Sequence, residues 1–128
     1  MTPVQAVIEL DEAFARRDLA GVLAFYEDDA VVVAEPNRII QGKEELRQFF
    51  TRMFMLNGRA QQLKTRAIES GDIALFISKW QFSGTGQDGS PFSREFVATC
   101  IFRRGIDSRW RLVIDNSLGP MVLESAGA

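Results

Sequence analysis

The chain has 128 residues, a net charge of −2, and a composition of 46% hydrophobic and 25% charged residues. This length and composition predict a single globular domain, 1–128, large enough to bury a core without disulfides or metals. The charges are interspersed and no lysine- and arginine-rich run occurs, which argues against a nucleic-acid partner.

Histidine is absent and Cys100 is the single cysteine. These two facts exclude histidine-based triads, HExxH zinc sites and an internal disulfide. No acidic spacing of the DxDxDG type occurs, so we expect neither a metal nor another cofactor. The N-terminus lacks a basic segment followed by an apolar one, and no apolar run approaches the ~20 residues of a membrane span. We therefore expect a cytoplasmic protein with no membrane partner.

The first part of the chain is predicted to be mostly helical. Thr2, Pro3 and Gln5 form the pattern of a capped helix start, and Asp18 restarts a second helix that we expect to reach Tyr26. Residues 30–34 then read as a strand, residues 35–38 as a turn and residues 39–40 as a short return strand. A third helix is predicted over residues 43–56.

The second part alternates with a period of two and predicts strands. They cover residues 63–69, 73–82, 92–103 and 109–117, and a loose tail follows from about residue 119. The Gly-x-Gly of residues 84–86 lies between two strands with no helix after it, so we read a hairpin and reject a phosphate loop. Helices before a run of hairpin-connected strands predict an α+β fold with antiparallel pairing.

Four segments together resemble a known superfamily: AFARRDL (13–19), FYEDDAV (25–31), GKEEL (42–46) and WRLVIDN (110–116). The chain resembles the NTF2-like superfamily over about residues 4–119. Within it, the resemblance is to the branch of ketosteroid isomerase, SnoaL-like polyketide cyclases and DUF4440 proteins. It implies a cone, in which three N-terminal helices pack on a curved mixed or antiparallel sheet around an apolar cavity. It also implies a homodimer formed through the outer sheet face.

The catalytic residues of these relatives are mostly missing. Ketosteroid isomerase uses a tyrosine, a basic aspartate and a protonated aspartate; alignment puts Leu10, Ala34 and Thr99 at these positions. Glu35 lies one residue past the base position. Scytalone dehydratase needs histidines, and the residue set of limonene epoxide hydrolase has only a loose counterpart in Arg94, Glu95 and Asp115. The resemblance therefore leaves open whether the protein is an enzyme.

Strand alternation sorts the remaining candidates. The resemblance places Asp115 toward the cavity, and the matching faces of the two preceding strands would add Lys79, Glu95 and Thr99. A carboxylate in an apolar pocket becomes a stronger base, so Asp115 is the candidate general base, with Lys79 or Glu95 as partner. The alternative is a structural ion pair between neighbouring strands. The candidate ligand-pocket residues are Tyr26, Glu35, Phe50, Thr99, Val113 and Ser117.

Two classes of function remain. The first is binding of a small apolar molecule, with a ring-containing one among the options, accompanied by isomerase- or cyclase-like acid/base chemistry. The second is a non-catalytic dimeric module that binds a ligand or a protein. The orientation of Asp115 discriminates between them, since an outward Asp115 would remove the main catalytic candidate.

Overall fold

The computed structural model describes residues 1–124. The elements follow in the order α1 (Pro3–Ala15), α2 (Leu19–Leu23), β1 (Tyr26–Glu35), β2 (Arg38–Gln41), α3 (Lys43–Phe54), β3 (Gly58–Ser70), β4 (Ile73–Thr85), β5 (Pro91–Arg104), β6 (Trp110–Asn116) and a 3₁₀ helix (Gly119–Glu124). No helix of this part of the chain is long and apolar enough to span a membrane.

The six strands form one curved mixed sheet in the order β2-β1-β6-β5-β4-β3. Every neighbouring pair is antiparallel except β1 and β6, which run parallel. Helices α1 and α3 contact the sheet, α2 packs against both of them, and the buried core lies between the helices and the strands. The predicted α+β class, with three N-terminal helices on a mixed sheet, is confirmed.

The start of α1 follows the sequence prediction closely. The Thr2 side chain accepts a hydrogen bond from the Gln5 backbone N–H at 3.1 Å, and the Gln5 side chain accepts one from the Thr2 N–H at 2.8 Å. Asp18 caps α2 by accepting from the Gly21 N–H at 2.9 Å. Side-chain oxygens at these positions satisfy N–H groups that the first helical turn leaves unpaired.

The expected length of the second helix is wrong. It ends at Leu23, and Tyr26 opens β1 instead of closing the helix. The Leu112 backbone N–H donates to the Phe25 carbonyl at 2.8 Å, which ties this segment to β6. Pairing with a distant strand has overridden the local helical pattern, as sheet contacts commonly do.

The four later strands are present: β3, β4 and β5 are longer than predicted, whereas β6 is one residue shorter at each end. The strand predicted over 63–69 begins at Gly58, and the one predicted over 73–82 continues to Thr85. The tail is not loose throughout, because Gly119–Glu124 forms a 3₁₀ helix; residues 125–128 lie outside the described residues. Paired neighbours on both sides extend β4 beyond its own hydrophobic pattern.

A bulge in β6 changes which side chains face the helices. Ile101 of β5 pairs with Ile114, but Phe102 pairs with Leu112, so Val113 is an extra residue in β6. Side chains alternate along a strand, and one inserted residue reverses the alternation beyond it. As a result Leu112 and Asp115 both face the helices, although an unbroken strand would place them on opposite faces.

Candidate functional site

An apolar cavity of about 130 Å³ lies between the helices and the inner face of the sheet. Hydrophobic and aromatic side chains from α1, α3 and five strands make most of its wall, and a few polar groups interrupt it. The apolar lining is Val7, Leu10, Phe14, Val32, Phe49, Phe50, Met53, Ala60, Phe76, Trp80, Phe82, Ala98, Phe102 and Leu112. The polar lining is Asp11, Tyr26, Gln62, Cys100, Asp115 and Ser117.

Asp115 contributes one of the carboxyl groups that line this cavity. Its Oδ2 accepts a hydrogen bond from the Tyr26 hydroxyl at 2.6 Å, and its Oδ1 accepts from the Cys100 thiol at 3.4 Å. Burial raises the pKa of Asp115, because the ionised form loses hydration; the two hydrogen bonds oppose that rise. Asp115 is partly buried and lines the cavity, so a ligand in the cavity would lie next to a carboxyl group that has lost part of its hydration.

The two donors to Asp115 hold their protons firmly. Burial first, and the neighbouring Asp115 charge second, raise the pKa of the Tyr26 phenol and of the Cys100 thiol well above their usual values. Tyr26 and Cys100 therefore stay protonated and act as hydrogen-bond donors around neutral pH. Cys100 is 5% exposed and is a buried thiol of the cavity wall, not an activated nucleophile.

Asp11 brings a second carboxyl group to the same cavity. Its Oδ2 accepts from the Gln62 amide at 2.9 Å, and the Gln62 carbonyl in turn accepts from the Ser78 hydroxyl. Burial raises the pKa of Asp11 to about 6, the Gln62 hydrogen bond lowers it, and the charge of Asp115 raises it further. The cavity thus holds two carboxyl groups whose charges are coupled.

Sequence reasoning missed Asp11, although the chain carries a signal for it. Val7, Leu10 and Phe14 follow helical spacing, and Asp11 falls within the same stripe. A carboxylate on the apolar face of an amphipathic helix is an unfavourable placement unless it serves a purpose or finds a partner. The partner is Gln62, whose position on β3 only the fold reveals.

The predicted partners of Asp115 lie on the other side of the sheet. Lys79 and Glu95 form a salt bridge of 3.7 Å, with side chains 60% and 55% exposed. The inner face of β4 and β5 instead carries Phe76, Ala98 and other cavity residues. The inward orientation expected for Lys79 and Glu95 is wrong, because it extended the alternation of β6 without the bulge at Val113.

The same bulge explains most of the other misplaced pocket residues. Thr99 lies on the outer face of β5 and accepts a hydrogen bond from the Asn116 amide at 3.1 Å, and Val113 does not line the cavity. Glu35 is exposed at the end of β1, away from the cavity. The expected pocket positions of these three residues are wrong. The structure does bring Phe50 and Ser117 into the wall together with Tyr26 and Asp115.

The raised pKa of Asp11 predicts a pH-dependent stability effect of Asp11→Asn. The unfolded chain releases this proton near pH 3.8 and the folded chain near pH 6, so ionisation opposes folding increasingly as the pH rises through this window. When the pH is raised from 4 to 8, the free energy of unfolding of the variant should increase by about 2–3 kcal/mol relative to that of the wild type. Urea denaturation at the two pH values measures this gain.

Glu12→Gln is the matched control, since Glu12 is an exposed acid on the same helix. It removes a carboxylate without changing the cavity. If the gain between pH 4 and pH 8 were no larger for Asp11→Asn than for Glu12→Gln, the description of Asp11 as a buried, destabilising carboxylate would be wrong.

Comparison with solved structures places the fold among known proteins. A ketosteroid isomerase-like protein from Erwinia carotovora is 22% identical, with a TM-score of 0.72, over 87% of this chain and 88% of that one. An NTF2-like superfamily protein from Salmonella enterica is 12% identical, with a TM-score of 0.76, over 88% and 84%. The association domain of C. elegans CaMKII is 16% identical, with a TM-score of 0.70, over 88% of both chains. These likenesses establish the NTF2-like fold.

No curated protein sequence matches the chain. The family model of the SnoaL-like domain matches residues 4–112. This match ends three residues before Asp115, so it includes Asp11 and Tyr26 but is silent on the Asp115 carboxyl group. It nevertheless covers most of the described fold, and the chain belongs to the SnoaL-like domain family.

Proposed function

We propose that this protein binds a small apolar molecule, about the size of one ring, in the cavity and exchanges a proton with it through Asp115. The observation that carries the proposal is the Asp115 carboxyl group, held at 2.6 Å by the Tyr26 hydroxyl within an apolar wall. Concave apolar sites with a few convergent polar groups and perturbed pKa values are typical of ligand sites.

The size of the cavity limits the ligand. A volume of about 130 Å³ is close to the ~150 Å³ of an engineered cavity that accepts benzene, and it is below the ~300 Å³ of typical drug-sized pockets. A tetracyclic steroid would not fit without large rearrangement of the walls. The proposed ligand is therefore a single ring with small substituents.

Acid/base chemistry follows from the state of Asp115. A buried carboxylate with a raised pKa accepts a proton more readily than one in water, and the Tyr26 hydrogen bond fixes its orientation. In the proposed step, a C–H bond next to a substrate carbonyl breaks. Its proton moves to Asp115 and the electron pair forms an enolate, which Asp115 reprotonates. The ketosteroid isomerase-like description of the Erwinia relative supports this class of reaction.

Exchange of the α-protons of cyclohexanone in D₂O tests this proposal. The wild-type protein should accelerate the exchange, and Asp115→Asn should slow the catalysed rate at least ~100-fold, because a general base typically contributes 10²–10⁴. Ala98→Leu, which fills the cavity, should also abolish the catalysed exchange. Proton NMR follows the loss of the α-proton signal.

Two variants control for the changes of side chain. Asp29→Asn removes an exposed aspartate outside the cavity, and Ala20→Leu enlarges an exposed position of α2. Both should retain the wild-type rate. If Asp115→Asn exchanged as fast as wild type, Asp115 would not be the base. If cyclohexanone exchanged no faster with wild-type protein than in buffer, the proposed proton transfer would be contradicted.

We propose in addition that the chain forms a homodimer through the outer face of the sheet. Four apolar side chains on this face are 39–49% exposed: Ile68, Ile73, Val97 and Ile114. Apolar residues clustered on one exposed face favour an interface. The association domain among the structural relatives supports assembly by this fold.

Light scattering after size exclusion tests the dimer. Wild-type protein should elute with twice the 14.4 kDa mass of the chain, and Val97→Lys should shift it to the monomer mass, because a charge would be buried without a partner. Ile106→Lys is the control, since Ile106 is fully exposed in the turn between β5 and β6. A monomeric wild-type protein would rule out this dimer.

A further inference from the structure

The cavity carries acidic groups with no basic group to balance them. Asp11 and Asp115 both line it, and each ionised group disfavours the other, as the effect of Asp115 on the pKa of Asp11 shows. Among the described residues, no lysine or arginine lines the cavity. Buried carboxylates are normally paired, so an unbalanced pair leaves a site that favours a positive ligand group and opposes a negative one.

The two carboxyl groups differ in how far the protein has already satisfied them. Both oxygens of Asp115 accept a hydrogen bond, from Tyr26 and from Cys100. Within residues 1–124, only Gln62 donates to Asp11, and it does so to Oδ2. Asp11 therefore has an oxygen available to a ligand, whereas Asp115 is oriented by the protein.

The walls of the cavity suit a cation as well. Eight aromatic side chains line it, including Phe14, Phe50, Phe82 and Trp80. The face of an aromatic ring carries negative electrostatic potential and attracts ammonium groups, more so where water is excluded. Aromatic walls around an acceptor carboxylate form a common arrangement for recognising amines.

Asp11 also occupies the place where a ligand would approach the cavity. Val7, Asp11, Ala60 and Gln62 line both the cavity and a surface groove between α1 and β3. The Asp11–Gln62 hydrogen bond thus lies at the boundary between groove and cavity. The groove itself carries charges of both signs, on Glu12, Arg59 and Lys64, but among the described residues Asp11 is the one carboxyl group that lines both groove and cavity.

We propose that the ligand is a single-ring molecule bearing a basic nitrogen, whose protonated amine pairs with Asp11 while the ring occupies the aromatic part of the cavity. This inference rests on the proposed function and specifies its substrate class. In this proposal the two carboxyl groups have different roles: Asp11 binds the ammonium group, and Asp115 remains the proton acceptor.

Three ligands of one shape test the charge preference: benzylamine, benzyl alcohol and benzoate at pH 8. The Trp80 indole N–H, which donates to the Ser117 carbonyl at 2.8 Å, reports binding in the cavity by NMR. The other tryptophan, Trp110, is buried outside the cavity lining and serves as the internal reference. Benzylamine should bind at least ~10-fold more tightly than benzyl alcohol, about the value of one charge-assisted contact, and benzoate should not bind.

Asp11→Asn assigns the preference to its residue. The variant should bind benzyl alcohol as wild type does and lose the preference for benzylamine. Glu9→Gln, which removes an exposed carboxylate of α1 outside the cavity and the groove, should keep the preference. If wild-type protein bound benzyl alcohol or benzoate as tightly as benzylamine, the amine inference would be overturned while ligand binding itself would stand. If none of the three shifted the Trp80 signal saturably, the proposed ligand cavity would fail with it. The wild-type comparison decides the charge preference even if Asp11→Asn does not fold.

Discussion

The hydrogen bond between Tyr26 and Asp115 is the contact on which the candidate site depends. It joins the first residue of β1 to the end of β6, the one parallel pair of the sheet, and it places a carboxyl group in an apolar wall. A buried carboxylate is unfavourable without donors, and Tyr26 and Cys100 supply them. The position of β1, the shape of the cavity and the basicity of Asp115 are therefore linked.

Much of the fold could be predicted from the sequence, because its signals are local. Two such signals depend only on residues that are close together in the sequence: the capping box of Thr2 and Gln5, and the alternation of apolar and polar residues in the later strands. The start of β1 at Tyr26 was missed, since it depends on pairing with Leu112 far along the chain. The bulge at Val113 was missed for the same reason, because it follows from the register of β6 against β5 and from no residue type of its own.

An error of one residue in the register of β6 against β5 changes which side chains are predicted to share a face with Asp115. Asp115 lines the cavity, as the resemblance implies, but the partners predicted for it, Lys79 and Glu95, form an ion pair on the outer face of the sheet. The second carboxyl group, Asp11, stands on an apolar helical stripe and was recognisable as an exception to the pattern. That it meets Asp115 in one cavity follows from the packing of α1 on the sheet, which a single sequence does not specify.

The pKa values of the two cavity carboxyl groups test this account most directly. Carbon-13 NMR of the carboxyl carbons, titrated with pH, reports each aspartate separately. Asp11 should titrate near pH 6 and Asp115 above the ordinary aspartate value of 3.8, and Asp115→Asn should lower the pKa of Asp11 by removing the neighbouring charge. Titration of both groups near 3.8, with no response of Asp11 to Asp115→Asn, would show that they are solvated and separate and would contradict the shared cavity.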